Sequence, residues 1–218
     1  MTTSARYHHG NLREALVDAA VDAAREHGPD GLAVRELARR VGVSHNAAYR
    51  HFADREALVE EVAARGLVAL ITAMERRLAT VPDGSDPVLR ARRRLSETGR
   101  GYVDFAIAEP GLFKVLFTAY PELPGREGGG PKDHDPYDLL NAALDDLVTV
   151  GFLAAAVRPG ADVTCWSMVH GFAVLHVEGP LRGTPTADRE AALAISLVAI
   201  DRGYGATTAD DWPPLVLG

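Results

Sequence analysis

Four side chains suited to contact with a nucleic acid follow Ser44 in the chain. Their spacing of i, i+1, i+4 and i+5 places them on one face of a helix. Arginine and asparagine can read base edges in the major groove, whereas tyrosine, histidine and serine contact phosphates. The sequence therefore predicts a DNA-reading face made of His45, Asn46, Tyr49 and Arg50.

Two short helices must hold this face in place. Gly42 interrupts the apolar pattern, and Ser44 is a residue type that caps helix N termini. Two helices joined by such a turn have the layout of a helix-turn-helix, which we predict over residues 33–52. Its core is predicted to contain Val34, Leu37, Ala38, Val41, Val43, Ala48 and Phe52. An ordinary helical hairpin with a polar face is the alternative.

Helical periodicity continues along nearly the whole chain, and we find no alternating strand pattern. Asn11 and Glu14 have the spacing of a capping box for the first helix, and Asp54 caps a fourth helix that reaches about Val81. Further helices are predicted at about 87–109, 111–119, 136–150, 161–179 and 187–204. Residues 121–136, rich in proline and glycine, are expected to form a mobile or functional loop. The fold class is all-α.

The charge of the chain is unevenly distributed. The formal net charge is −7, but residues 1–52 hold seven arginines, six carboxylates and five histidines, and the remainder holds 16 basic and 24 acidic side chains. Only the amino-terminal part would tolerate close contact with DNA. The single cysteine, Cys165, excludes an internal disulfide. The longest apolar stretch, 191–200, is about half of the ~20 residues that span a bilayer, so we expect a cytoplasmic protein without membrane contact.

Several segments together resemble the tetracycline-repressor (TetR) family of transcriptional regulators. They are Tyr7-His8-His9-Gly10-Asn11-Leu12-Arg13, Leu37-Ala38-Arg39-Arg40-Val41-Gly42-Val43-Ser44, Tyr49-Arg50-His51-Phe52 and Glu56-Ala57-Leu58. This resemblance covers about residues 7–66. Residues 166–171, Trp-Ser-Met-Val-His-Gly, are similar to the Trp-xxx-His-Gly signature of one ligand-domain subgroup.

The resemblance implies a three-helix DNA-binding head at residues 10–70 and a larger helical bundle at 71–218 for ligand binding and dimerisation. It implies that the third helix enters the major groove, with Tyr49 and His51 near phosphates. Arg55 stands where relatives usually place a phosphate-contacting lysine. His45 and Ala33 depart from the family's common lysine and threonine. The complete set of candidate DNA-binding residues is Arg35, Ser44, His45, Asn46, Ala47, Tyr49, Arg50, His51 and Arg55.

The carboxy-terminal part contains the residues that could bind a small effector. Aromatic residues there could belong to a core or to a mostly apolar pocket, and the sequence alone supports both readings equally. We select Tyr102, Phe105, Phe113, Phe117, Trp166 and His170 as candidate pocket residues.

Metal binding and catalysis have little support in this part of the chain. On one helix, Cys165 and His176 would lie three turns apart, roughly 16 Å by the helical rise. His170 and His176 point in different directions, so we expect neither a metal site nor a cofactor. The histidines also lack a paired nucleophile signature, so we do not predict an enzyme.

The last helix is apolar nearly all round, so solvent cannot cover any broad face of it. It is either central to the monomer or packed on a second copy, and the family resemblance favours a homodimer. We place Ala191, Ile195 and Val198 in the interface. The overall hypothesis is a dimeric repressor that a small apolar molecule releases from a palindromic operator. The rival hypothesis is a small-molecule-binding helical protein or enzyme that does not bind DNA.

Overall fold

The computed structural model describes residues 12–84, 86–119 and 135–205, and in these ranges it contains helices and no strand. The all-α prediction is therefore confirmed. The helices are α1 Leu12–His27, α2 Val34–Val41, α3 His45–Tyr49, α4 Arg55–Leu78, α5 Pro87–Ala108, α6 Pro110–Ala119, α7 Pro136–Thr149, α8 Ala161–Val177 and α9 Thr186–Tyr204. Asn11 of the expected capping box, the motif residues 7–10 and most of the loop predicted at 121–136 lie outside the described residues.

Several helix ends differ from the sequence-based prediction. Helix α3 ends at Tyr49 rather than near Phe52, because the chain turns there and the carbonyl of Ala48 accepts from the amides of both His51 and Phe52. Helix α4 ends at Leu78 rather than near Val81. Its predicted cap is present, since Asp54 Oδ1 accepts from the amide of Ala57 at 2.8 Å.

The described residues divide into two compact units. The first contains residues 12–69 and 109–119, and the second contains residues 70–108 and 135–205. Helix α4 is continuous across the boundary between residues 69 and 70. The predicted domain division at residues 70 and 71 had placed α6 in the second domain, whereas here α6 groups with the first unit. The assignment of ligand binding to residues 71–218 stays a prediction.

The core of the first unit forms around α1. Leu16, Val17, Ala20 and Ala24 of this helix are buried, as the i, i+3, i+4 pattern requires. Helices α2, α3 and α6 pack against it. Helix α6 comes unusually close, because a Cβ atom added to Gly111 would lie 1.9 Å from the carbonyl oxygen of Ala24. Only glycine permits this approach.

The second unit is formed by α5, α7, α8 and α9 together with the end of α4. Its core includes Leu95, Leu140, Leu144, Leu147 and Ile200. Ion pairs join the helices at their edges: Arg92 pairs with Asp201, and Arg94 pairs with Asp146. Within the described ranges, no helix is long and apolar enough to cross a membrane.

Candidate functional site

The turn between α2 and α3 determines where α3 begins. Gly42 ends α2 with a φ of 77°, a left-handed conformation that glycine adopts without steric cost. The amide of Val43 then donates to the carbonyl of Ala38 at 2.9 Å. Ser44 caps α3, and its Oγ accepts from the amide of Ala47 at 3.3 Å. The serine cap predicted from the sequence is thus seen in the structure.

One side of α3 is anchored in the first unit. Ala48 is fully buried and Phe52 is nearly so. Of the predicted helix-turn-helix core, Val34, Leu37 and Ala38 are buried as well. Val41 and Val43, predicted to belong to the same core, are half-buried, because they lie at the turn where solvent reaches them. The anchored side fixes the rotation of α3 about its own axis.

The opposite side of α3 is exposed in this unit. His45, Asn46, Tyr49 and Arg50 all lie there, and Tyr49 retains 42% of its accessible surface. A tyrosine that is this exposed beside an arginine presents both an apolar ring and hydrogen-bonding groups to a partner. The geometric condition for a DNA-reading face is met, because this face is not packed against its own unit.

The other candidate residues lie around this face. Arg35, Ser44 and His51 are exposed, and Ala47 is half-buried. Arg55 is also exposed, but its Nη2 donates to the carbonyl oxygen of Pro29 at 2.6 Å. This bond fastens the start of α4 to the turn after α1, so Arg55 has a structural partner as well as its predicted phosphate contact.

The cations near α3 differ in whether they are paired. Arg39 binds Glu36 at 2.5 Å, and Arg40 binds Glu26 at 2.8 Å. In the part of the chain that the structure describes, Arg35 and Arg50 form no ion pair. Their charges are therefore not neutralised locally by a carboxylate, which favours contact with a polyanion.

A cavity of about 40 Å³ lies within the second unit. Its wall is mostly apolar and includes Leu95, Leu140, Val169 and Leu197. Of the predicted pocket residues, Tyr102 and Trp166 line it. His170 is joined to Tyr102 by a hydrogen bond of 2.8 Å between Nδ1 and the hydroxyl oxygen.

The remaining predicted pocket residues lie elsewhere. Phe105 is buried in α5 but does not line this cavity. Phe113 and Phe117 belong to the first unit, where their ring centroids are 4.9 Å apart. Sequence reasoning selected aromatic residues and missed the aliphatic lining, since leucine and valine on a helical pattern carry no signal that separates a cavity from a core.

Aromatic rings cluster at one side of the cavity. The centroid of Trp166 lies 5.5 Å from that of Tyr102 in an edge arrangement and 6.1 Å from that of His170 in a stacked one. Tyr137, whose hydroxyl donates to Asp162, lies 5.8 Å from Trp166. These contacts fix the indole, which stands as a rigid wall of the cavity.

Burial favours the uncharged form of three titratable groups at the cavity. It raises the pKa of Tyr102 well above its usual value and lowers the pKa of His170, against which the charge of Glu178 acts. Burial also raises the pKa of the Cys165 thiol to about 11. A thiol with this pKa is a poor nucleophile at neutral pH.

Comparisons with known proteins place the chain in a family. Residues 16–62 match the model of the bacterial regulatory proteins of the tetR family. Residues 95–200 match a model of the tetracyclin repressor-like C-terminal domain. YobS, an uncharacterised HTH-type transcriptional regulator of Bacillus subtilis, is 30% identical over 172 residues, which are 76% of this chain and 79% of that protein. The chain belongs to the tetR family.

Two further relatives agree with this assignment. The class A tetracycline repressor protein from transposon 1721 of Escherichia coli is 44% identical over 139 residues, which are 64% of this chain and 55% of that protein. A solved structure of a protein of unknown function from Rhodococcus sp. RHA1 has a TM-score of 0.67 and 27% identity, and covers 93% of this chain and 100% of its own. This tetR-family protein is a DNA-binding transcriptional regulator with a helix-turn-helix.

The candidate dimer residues of this tetR-family protein lie on an exposed apolar face. Ile195 retains 71% of its accessible surface, Val198 is exposed as well, and so is Ala191. Leu193 and Leu197 of the same helix point into the core of the second unit. Helix α9 thus has two apolar faces, of which one is buried by its own unit.

The lowered pKa of the half-buried His170 leads to a prediction about pH. Because the pKa of His170 is lowered by folding, the unfolded chain binds a proton more readily there than the folded chain. Stability from this group is present above the ordinary histidine pKa of about 6.5 and is lost as the pH falls below it. We expect the free energy of unfolding of His170→Gln to depend less on pH than that of the wild type.

Urea denaturation at neutral pH and at mildly acidic pH measures this difference. The change in slope for one proton has an upper limit of about 1.4 kcal/mol per pH unit. The control is His45→Gln, which alters an exposed histidine of the first unit. Equal slopes for the wild type and His170→Gln would show that His170 is not held neutral by the fold.

Proposed function

We propose that this protein is a dimeric repressor that leaves its operator when a small apolar molecule binds within the helical body. The observation that carries the proposal is the outward face of α3, where His45, Asn46, Tyr49 and Arg50 are exposed on a helix with a serine cap. A face of this composition suits the major groove. The backbone amides at the start of α3 add donors that can approach a phosphate.

The proposed contacts divide into two classes. Arg50 and Asn46 are assigned to base edges, since both residue types form bidentate bonds with bases. Ser44, Tyr49, His51 and Arg55 are assigned to phosphates, together with Arg35 from α2. His45 and Ala47 lie at the start of α3, where side chains approach bases most closely in helix-turn-helix proteins.

A second copy of the chain is the proposed partner of the exposed face on α8 and α9. Val163 and Leu175 of α8 and Ile195 and Val198 of α9 are exposed apolar side chains. Contiguous apolar patches are rarely left to solvent in a monomer, and we propose that these side chains form one. A two-fold dimer would present two recognition helices to major grooves about 34–36 Å apart, or a multiple of that distance, on a palindromic operator.

The cavity supports the proposed response to a ligand. Its volume of about 40 Å³ is small, whereas pockets for drug-sized ligands are roughly 300–1,000 Å³. A ligand of that size must therefore separate the helices that line the cavity, among which are α8 and α9. Because these helices also carry the proposed dimer face, binding would change how the copies are arranged. A differential affinity of ~1–3 kcal/mol between the two arrangements is typical of such coupling.

We also assign the chain to the Trp-xxx-His-Gly subgroup of ligand domains. Trp166 and His170 stack at the edge of the cavity. Gly171 follows them, and a Cβ added there would meet no atom within 4 Å. The motif therefore combines a cavity wall with a small residue on the accessible side of α8.

The rival function is binding or conversion of a small molecule without DNA contact. It accounts for the cavity, but it leaves the exposed Tyr49 and Arg50 without a role. Family membership favours the regulator.

The first prediction from this proposal concerns DNA binding. We expect Tyr49→Ala and Arg50→Ala each to weaken binding to the upstream DNA of the protein's own gene by roughly tenfold or more, as loss of a base or phosphate contact would. A gel shift over a range of salt concentrations measures it. The logarithm of wild-type affinity should fall linearly with the logarithm of salt.

Arg93→Ala is the matched control, since it removes an exposed arginine from α5 of the second unit. Its affinity should equal that of the wild type. If Tyr49→Ala and Arg50→Ala also bound DNA as tightly as the wild type, α3 would not be the reading helix.

A second prediction concerns assembly. Ile195→Asp places a charge in the proposed interface, where its desolvation is unfavourable, so we expect monomers in light scattering. Val157→Asp is the control. Val157 is an exposed β-branched apolar residue, as Ile195 is, but it lies in the connection between α7 and α8. An unaltered dimer in Ile195→Asp would refute this interface.

A third prediction concerns release. A molecule that binds the cavity should lower operator affinity by roughly fivefold to 150-fold, the range of ordinary allosteric coupling. Fluorescence anisotropy of labelled operator, titrated with such a molecule, measures it. Unchanged operator affinity at saturating ligand would remove the release mechanism and leave DNA binding intact.

A further inference from the structure

We propose that the cavity accepts uncharged molecules and that the ion pair of Arg92 with Asp201 excludes charged ones. This inference rests on the proposed function, because it names the chemical class of the effector. It identifies two residues as determinants of specificity, and neither belongs to the aromatic cluster that the sequence singled out.

The ion pair is bidentate and lies at the cavity. Nε of Arg92 donates to Oδ1 of Asp201 at 2.9 Å, and Nη2 donates to Oδ2 at 2.6 Å. Both side chains line the cavity. The guanidinium carbon also lies 4.8 Å from the ring centroid of Phe152. Two parallel hydrogen bonds and an aromatic ring hold the pair in one geometry.

Arg92 and Asp201 are the charged residues among those described around the cavity. The other described lining residues are uncharged, and two of their polar groups already bond within the protein. The hydroxyl of Thr98 donates to the carbonyl of Arg94 at 2.9 Å, and Sγ of Cys165 lies 3.4 Å from the hydroxyl of Tyr204. The wall therefore solvates an added charge poorly.

A charged ligand group competes with the pair. A carboxylate that took both Nε and Nη2 of Arg92 would displace Asp201 and leave the Asp201 carboxylate without its cation. An ammonium group could be neutralised by Asp201, but it would then leave the guanidinium of Arg92 without its carboxylate. Because these side chains retain 40% and 26% of their accessible surface, solvent compensates part of the loss, but the two hydrogen bonds of the pair are given up. An uncharged molecule does not compete for either member of the pair.

The aromatic side chains of the wall restrict the class of possible ligands further. Trp166 and Tyr102 present ring edges and faces to the cavity, and aliphatic side chains cover the rest. Flat rings pack well against such a surface. The geometry points to a neutral aromatic or aliphatic molecule that has at most weakly polar groups.

Three ligands of matched shape test this inference: naphthylmethanol, naphthoate and naphthylmethylammonium. At neutral pH the first is neutral, the second is an anion and the third is a cation. Isothermal titration calorimetry on the full chain, without DNA, gives their dissociation constants. We expect naphthylmethanol to bind roughly tenfold or more tightly than either ion, as the burial of an unpaired charge requires.

Two variants should change the preference in opposite directions. Asp201→Asn leaves the guanidinium of Arg92 without its carboxylate, so naphthoate should bind roughly tenfold more tightly than it binds the wild type. Arg92→Gln leaves the carboxylate of Asp201 without its cation, so naphthylmethylammonium should gain affinity in the same way. Neither substitution should lower the affinity for naphthylmethanol by a comparable factor.

Matched controls come from a second ion pair in the same unit. Asp146→Asn and Arg94→Gln break the pair between Arg94 and Asp146, which are 2.8 Å apart and do not line the cavity. These variants should bind all three ligands as the wild type does. Thermal denaturation confirms that each variant is folded. If one of the two cavity variants fails to fold, the other still tests the inference.

Several outcomes would overturn the inference. One is wild-type binding of either ion as tight as that of naphthylmethanol. Others are a lack of binding by all three ligands and the absence of an affinity gain in folded Asp201→Asn and Arg92→Gln. Operator binding without ligand tests the proposed function separately. If the protein binds operator DNA but does not show the expected ligand preference, the exclusion of charged ligands is wrong and the proposed function is unaffected.

Discussion

The burial of Ala48 and Phe52 is the constraint on which the DNA-reading face depends. Helix α3 has only five residues, which is too short to be stable by its own hydrogen bonds. It persists because one side is packed in the first unit and its start is capped by Ser44. The same packing fixes which side chains face outward. The chemistry of Tyr49 and Arg50 would be unavailable if α3 were rotated by half a turn.

Much of this arrangement could be predicted from the sequence. The apolar spacing of α1, the glycine at position 42 and the serine at position 44 are local signals with a single physical meaning, and each predicted feature is present. The limits of α5, α7, α8 and α9 follow equally closely from apolar periodicity. The end of α3 could not be predicted, since Arg50 and His51 are compatible with a helix. Tertiary packing of Phe52 decides that the chain turns there.

The cavity was less predictable for a physical reason. A helix pattern tells which side chains are buried, but not whether two helices meet closely or leave a space. Tyr102 and Trp166 line the space, whereas Phe113 and Phe117 pack in the first unit, because α6 joins α1 there. The importance of Asp201 has no local signal at all. Its partner, Arg92, is 109 residues earlier in the chain, so only the fold brings the two together.

The close seat of α6 on α1 means that the DNA-binding head is not a continuous stretch of sequence. Gly111 lets the two helices touch, and Arg25 binds Glu109 through two hydrogen bonds of 3.0 and 3.2 Å. A head excised after α3, or exchanged with that of a relative, would leave behind a helix that completes its core. An exchange of the head of this protein must therefore include this later segment or supply a replacement that allows the same close contact.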